Sequence, residues 1–265
     1  MRACPNCGSR ENTLVMTEGD FKIVRCNKCS LVYLTNIPDE SEIYEDYYEI
    51  KFTKDDYTKD SALPHLAEIY EINEQRLEYL KGVKPGGSLL DVGCGSGLFL
   101  RTASREGYET YGIDVSNNAL AFAESQFGLN VGKETLDELV SAGRKFDIVT
   151  LWHVLEHFAN PVEELKKIKQ LLSPGGICLV EVPNFNSIKF KLSKVKWKGG
   201  NHPLYHRTFF TAPTLKDTLQ RSGFENTERL RISYKLPEKG AVYNLSKSIF
   251  NLAAMDAFLD FAAVN

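Results

Sequence analysis

The fold is decided by Ser88-Leu-Leu-Asp91-Val-Gly93-Cys94-Gly95-Ser96-Gly97-Leu98. Residues 88–92 read as a short buried strand, and the three glycines that follow allow a tight bend at the start of a helix over 98–105. Such a bend lets the backbone approach a ligand closely at a helix N-terminus. Working outward, the same rhythm repeats. Further buried strands are expected at 109–113, 146–151 and 176–182, with helices at 117–127 and 161–172 between them and a weaker strand near 129–132. Alternation of this kind implies an α/β, Rossmann-like, doubly wound sheet with ligands at the carboxyl ends of its strands. Upstream, residues 64–81 have helical periodicity ending at Gly82; downstream, a helix is expected at 213–221 and a strand at 224–234.

The chain has 265 residues, 43% hydrophobic and 25% charged, which excludes a disordered, collagen-like or disulfide-scaffold protein. Lysine and arginine number 32 against 35 acids, a net charge of −3, so no global field draws the chain to nucleic acid or membrane. The first ten residues lack the apolar run of a signal peptide, and the most apolar stretch, 250–264, is interrupted by Asp256 and Asp260. A cytoplasmic location is expected.

Four of the six cysteines form two C-x-x-C pairs, Cys4 with Cys7 and Cys26 with Cys29. Reduced thiols in paired knuckles at this separation read as a tetrahedral structural Zn2+ site. Strands at 21–25 and 31–34 flank the second knuckle, so residues 1–35 are expected to be a zinc ribbon. Such a ribbon serves either recognition or a metal-stapled cover for its neighbour, and its mild basicity without an aromatic stripe favours the cover. Residues 36–63 follow as a lid or linker. Between 36 and 60 it holds nine acids and three lysines with Tyr44, Tyr47, Tyr48, Phe52 and Tyr57 interleaved, and those aromatics imply packing rather than solvated linker. Residues 64–265 form the main domain.

The informative positions of a doubly wound sheet lie just past each strand. The dinucleotide pattern G-x-G-x-x-G would need a glycine at 98, where this chain has Leu98, so a pyrophosphate cradle is disfavoured. Asp114, at the second strand tip, can accept two hydrogen bonds from a ribose diol; otherwise it caps the next helix, a role Ser116 fills equally well. At the tip of the 146–151 strand stands His153-Val-Leu-Glu156-His157, which matches the zinc-peptidase pattern H-x-x-E-H. That pattern needs a long continuous helix, whereas here a buried strand runs straight into it and Asn160-Pro161 begins another helix.

Asp91-Val-Gly-Cys-Gly-Ser-Gly97, Gly112-Ile-Asp114, Phe146-Asp-Ile-Val149 with Val154-Leu-Glu-His157, and Leu171-Leu-Ser-Pro-Gly-Gly176 together resemble class I S-adenosylmethionine-dependent methyltransferases. The resemblance covers roughly residues 77–231, and the N-terminal ribbon is similar to a subgroup with a zinc-binding extension, several of whose members act on nucleotide sugars or related precursors. It implies a seven-stranded sheet closed by an antiparallel last strand; residues 257–264 fit that strand, or else an amphipathic helix. It implies that Gly93, Gly95 and Gly97, with Cys94 between them, face the methionine part of S-adenosyl-L-methionine. Asp91 would orient that loop or meet the amino group, and Asp114 with Val115 beside it would hold the ribose. Thr135 and Leu136 would flank the adenine, and Trp152 and His153 would line the floor.

Methyl transfer from a sulfonium needs in-line placement and, for some acceptors, a base. Of the five histidines, His153 lies nearest the inferred cofactor, and His202 and His206 fall in the acceptor-side insertion at about 184–210. His153 and His206 are the expected bases, with Asn184, Tyr205 and His202 orienting the substrate. Lys189, Lys191, Lys194, Lys196 and Lys198 alternate with apolar residues in the same insertion, and residues 185–265 hold 13 basic and 6 acidic groups. This is either a docking surface for phosphates or an amphipathic helix with snorkelling lysines. The expected activity is methylation of a small, phosphorylated acceptor such as a nucleotide sugar or glycan precursor. An RNA methyltransferase and a non-catalytic cofactor-binding scaffold are the alternatives, and a steep salt dependence of RNA binding would mark the former.

Overall fold

The computed structural model describes residues 2–37, 53–58, 63–187, 205–230 and 258–265. A seven-stranded sheet contains β4 (Ser88–Val92), β5 (Glu109–Ile113), β6 (Val131–Gly132), β7 (Phe146–Trp152), β8 (Leu172–Pro183), β10 (Asn226–Leu230) and β11 (Phe258–Val264) in the order β10-β11-β8-β7-β4-β5-β6. The neighbours from β8 to β6 pair in parallel, and β11 runs antiparallel to both β8 and β10. The closing element is thus a strand and not a helix. Helices α1 (Pro64–Val83), α2 (Leu98–Arg105), α3 (Asn117–Phe127), α4 (Leu136–Ser141), α5 (Pro161–Leu171) and α6 (Ala212–Arg221) accompany the sheet.

Strands covered on both faces should read as continuous apolar runs. Leu89, Leu90, Ile148, Val149 and Leu151 are all fully buried, as that rule requires. Sequence order reverses at β4, whose neighbours are β5 on one side and β7 on the other. A ligand crevice opens at such a reversal, because the connections on its two sides leave toward opposite faces.

A second, four-stranded sheet has the order β1-β2-β3-β9, from β1 (Asn12–Glu18), β2 (Phe21–Cys26), β3 (Val32–Leu34) and β9 (Thr208–Phe209). Its fourth strand comes from much later in the chain: Val32 pairs with Phe209 and Tyr33 with Thr208. Cys4, Val24, Cys26, Leu31 and Tyr33 belong to the same buried cluster as Leu151, Leu155, Phe210 and Leu215. Asn6 Nδ2 also donates to Asp217 Oδ2 at 2.7 Å. The N-terminal sheet therefore shares the main core. Tyr33 and Phe210, both completely buried, each contribute roughly 2–3 kcal/mol of apolar burial to that junction, an upper bound.

Within residues 53–58, Tyr57 supports the expected packing of the acidic, aromatic segment. Its ring lies 5.3 Å from that of Tyr70, and its hydroxyl meets Asn73 Nδ2 at 2.9 Å and Thr102 Oγ1 at 3.2 Å. The rest of the segment from residue 38 to 62, the lysines of 189–198 and His202 lie outside the described residues. Among the described residues, no helix is long and apolar enough to cross a membrane.

Candidate active site

A cleft of about 680 Å³ opens at the carboxyl ends of β4, β5 and β7. Of the residues singled out in the sequence, Gly93, Asp114, Val115, Thr135, Leu136, Trp152, His153, Tyr205 and His206 line it. The bend after β4 is clamped to the neighbouring strand, since the amides of Gly93 and Cys94 both donate to the Ile113 carbonyl, at 2.8 and 3.0 Å. Asp114 is held from two sides, accepting from the Gly95 amide at 2.8 Å and the Ser116 amide at 2.9 Å. Ser116, not Asp114, caps α3 by accepting from the Ala119 amide. The carboxylate is thus oriented at the rim and relieved of the capping duty. Thr135 caps α4 in a reciprocal box with Glu138.

The remaining loop positions lie behind the cleft wall. Gly97 begins α2 with φ +76°, and a Cβ there would sit 2.6 Å from Leu129 Cδ1 and 3.0 Å from Ala123 Cβ. Its missing side chain lets α2 and α3 pack. The Cys94 thiol is buried beneath Gly112, where a Cβ would approach its sulfur to 2.8 Å, and burial pushes that thiol well above its ordinary range. Asp91 is 3% exposed and accepts from Thr150 Oγ1 at 2.6 Å. Burial raises its carboxyl to about 7 against the pull of that hydrogen bond and of Arg76.

The other end of the cleft is built on the turn after β7. His153 takes the left-handed conformation, φ +59°, a strained setting for a residue with a side chain. The turn Leu155–His157 is a single 3-10 turn. His153 and His157 therefore do not share the long helix of a zinc peptidase. His153 Nε2 lies 2.9 Å from Glu181 Oε1, and Nδ1 lies 3.6 Å from Glu156 Oε1. Burial opposes its charge, but the two carboxylates outweigh that and hold it up to about 9. Glu181 is also paired with Arg76, whose guanidinium stacks 4.4 Å over the Trp152 ring.

Glu156 is 1% exposed, and neither carboxylate oxygen has a hydrogen-bond partner among the described residues. Burial works against its ionised form, yet the three surrounding histidines keep its pKa below the usual value. His206 Nε2 lies 4.0 Å from Glu156 Oε1, and burial pushes this imidazole down to about 4. The His157 and His206 rings meet edge to face, 4.8 Å between centroids. His157 Nδ1 is 2.9 Å from the Tyr205 carbonyl. Asn184 points elsewhere: it is buried, and its Oδ1 accepts from the Asn186 amide at 2.9 Å.

His206 reaches this end through the N-terminal sheet. The Leu34 amide donates to the Arg207 carbonyl at 2.9 Å, and the Arg207 amide donates to the Glu156 carbonyl at 2.8 Å. One extended segment thus links β3 to the turn carrying Glu156. The sequence reading passed over Glu156 and the Arg76–Glu181 pair. Glu156 stands inside the quoted H-x-x-E-H motif, whereas no local pattern marks an arginine on α1 as a partner of β8.

The four N-terminal cysteines converge as the spacing implied. Their sulfurs lie within 4.8 Å of one another, with Cys4 to Cys29 and Cys7 to Cys26 both 3.5 Å. All four are free thiols. A tetrahedral ion with bonds of about 2.3 Å needs sulfurs about 3.8 Å apart, so the donor set fits Zn2+.

A parallel sheet with an antiparallel closing strand, a glycine bend at its central strand and an acid at the next strand tip define a class I S-adenosylmethionine-dependent methyltransferase. The chain belongs to the family described as "Methyltransferase domain", which matches residues 65–229. It is 29% identical over 189 residues to a ubiquinone biosynthesis O-methyltransferase of Cereibacter sphaeroides, covering 67% of this chain and 72% of that one. A protein of the same name from Dinoroseobacter shibae is 30% identical over 200 residues, 70% of this chain and 76% of its own. Among solved structures, a SAM dependent methyltransferase from Archaeoglobus fulgidus superposes with a TM-score of 0.55 at 20% identity, covering 73% of this chain and 93% of that one. The plantazolicin methyltransferase BamL, in complex with a desmethylPZN analog and SAH, gives 0.56 at 20% identity, covering 75% of this chain and 86% of its own.

Proposed function

We propose that the enzyme transfers a methyl group to an oxygen of a small, phosphorylated acceptor. Asp114 carries the cofactor half of this reading: an oriented, half-buried carboxylate beside a glycine bend suits a ribose diol. When bound, S-adenosyl-L-methionine supplies an electrophilic methyl on a sulfonium, which departs as a neutral thioether. Gly93, Asp114, Val115, Thr135 and Leu136 line its place, and the Trp152 indole N–H, buried and without a partner among the described residues, is free to donate to the methionine carboxylate. Asp91, Cys94, Gly95 and Gly97 support that wall from behind.

At the acceptor end, Glu156 with His153 and His206 forms the cluster through which an acceptor hydroxyl loses its proton, and Tyr205 shapes the entrance. Oxygen as the receiving atom is supported by the names of the relatives in Cereibacter and Dinoroseobacter. Phosphate on the acceptor is supported by the basic excess of residues 185–265. The cysteine cluster holds a structural Zn2+, and its reduced thiols suit a cytoplasmic chain. The ribbon of residues 1–35 covers the acceptor side, and the main domain begins at residue 64.

Calorimetry and a labelled methyl donor test this reading. Asp114→Ala is expected to weaken S-adenosylhomocysteine binding by roughly 100-fold, the loss of one or two charged hydrogen bonds. His206→Ala is expected to lower kcat by about 100-fold with binding of the same ligand changed less than about threefold. Label entering only nitrogen or carbon acceptors, or unchanged affinity in Asp114→Ala, refutes it.

A further inference from the structure

We propose that Glu156, His157 and His206 form a second metal site, for a divalent transition-metal ion, at the acceptor end of the cleft. The proposal rests on the reading of that end as the place where the acceptor hydroxyl is activated, and it states how.

Two imidazoles and a carboxylate are the donor set of catalytic zinc and of related first-row sites, which leave positions open for substrate. The donor atoms of these three residues lie within 4.8 Å of one another. A tetrahedral ion with bonds of about 2.1 Å needs donors about 3.4 Å apart, against the 4.0 Å between Glu156 Oε1 and His206 Nε2. The Glu156–His206 separation must shorten by roughly 0.6 Å, and none in the set by more than about 1.4 Å, as the side chains close on the ion.

Three features distinguish this cluster from ordinary buried polar packing. The Glu156 carboxylate is 1% exposed, and both of its oxygens lack a hydrogen bond among the described residues. A buried carboxylate without hydrogen bonds is costly, and coordination removes that cost. His157 Nδ1 lies 2.9 Å from the Tyr205 carbonyl, the kind of contact by which a ligating histidine is usually oriented. Finally, all three residues line the same cleft as Asp114 and Trp152, so an open coordination position would face a bound acceptor. The H-x-x-E-H pattern is thus read differently from a peptidase helix: its Glu and second His bind from a 3-10 turn, and the third ligand comes from the segment leading into β9.

Chemically, an acceptor hydroxyl filling an open position becomes more acidic. Its O–H proton departs to water in the cleft, the oxygen attacks the methyl carbon, and the S–C bond breaks as the O–C bond forms. No oxidant or reductant is required.

Cobalt separates this site from the cysteines, because thiolate ligands give intense charge-transfer bands and nitrogen–oxygen ligands give only weak visible ones. The full chain, stripped of metal and titrated with Co2+, is expected to take up about two ions per chain, the second adding weak bands alone. Glu156→Gln and His206→Asn, each checked for native circular dichroism, are expected to bind about one, with the thiolate bands unchanged. Uptake of a single ion by the unaltered chain, or a second ion indifferent to both substitutions, overturns the proposal. Full methyl transfer by chain whose only metal is in the cysteine site also overturns it, while leaving the proposed O-methylation standing.

Discussion

Gly95 and Asp114, which meet on the proposed cofactor side, are 19 residues apart and are joined by adjoining parallel strands. His157 and Tyr205, which meet on the proposed acceptor side, are 48 apart, and the segment after Tyr205 is held in place by β3 of the N-terminal sheet. The cofactor side is therefore a local product of one strand–helix–strand unit. The acceptor side depends on a contact between residues 32–33 and 208–209. One side should survive damage to the cysteine cluster; the other should not.

Cys26→Ser tests that contrast most severely. Losing one of four thiolates is expected to release Zn2+ and loosen β3 from β9, lowering kcat by roughly 10- to 100-fold, the range seen when support around a site is removed. Binding of S-adenosylhomocysteine should change little. Metal analysis with paired calorimetry and turnover measurements reads both, and equal loss on the two sides would erase the distinction.

Gly97→Ala probes the cofactor side at the level of packing. The added methyl meets Leu129 Cδ1 at 2.6 Å in a left-handed backbone, and an expected cost of about 2–3 kcal/mol should appear as a lower melting temperature. Cofactor affinity well below that temperature should stay within a few-fold, since Gly97 faces α3 and not the cleft.

The smallest effect concerns Asp91. Its folded pKa of about 7 lies above the unfolded value of 3.8, so the folded state holds the extra proton between those limits. Stability from this group is greatest below about pH 4 and falls as pH rises toward 7. Asp91→Asn is expected to flatten that part of the stability–pH curve and to raise the melting temperature by a few degrees at pH 8 relative to pH 5. Parallel curves for the two proteins would show that the buried carboxylate is compensated by the Arg76 charge.

Much of the cofactor side was legible in the chain. Apolar runs marked β4, β5 and β7, glycines marked the bend, and Asp114 followed a strand end, because these signals act over a few residues. Legibility failed where one residue type serves two ends. Gly97 reads like Gly93, but its Cβ vector points at α3 instead of the cleft. Asn184 reads as a substrate ligand because it follows β8, yet it is buried and its side chain turns back onto its own backbone. Arg76 and Glu181 looked like ordinary charged residues, and Glu156 stood in the H-x-x-E-H motif without a role of its own, since burial and partnership are not written in a local pattern.

Spacing alone determined the paired cysteines, the strand–helix alternation and the acid at position 114, since each depends on backbone geometry over a single turn or strand. Long-range packing settled the rest. It gave the N-terminal sheet a fourth strand from residues 208–209, brought His206 within 4.0 Å of Glu156, and left that carboxylate buried without a hydrogen bond among the described residues. Such juxtapositions arise from the closing of one shared core around distant segments, and no short stretch of chain contains the information for them.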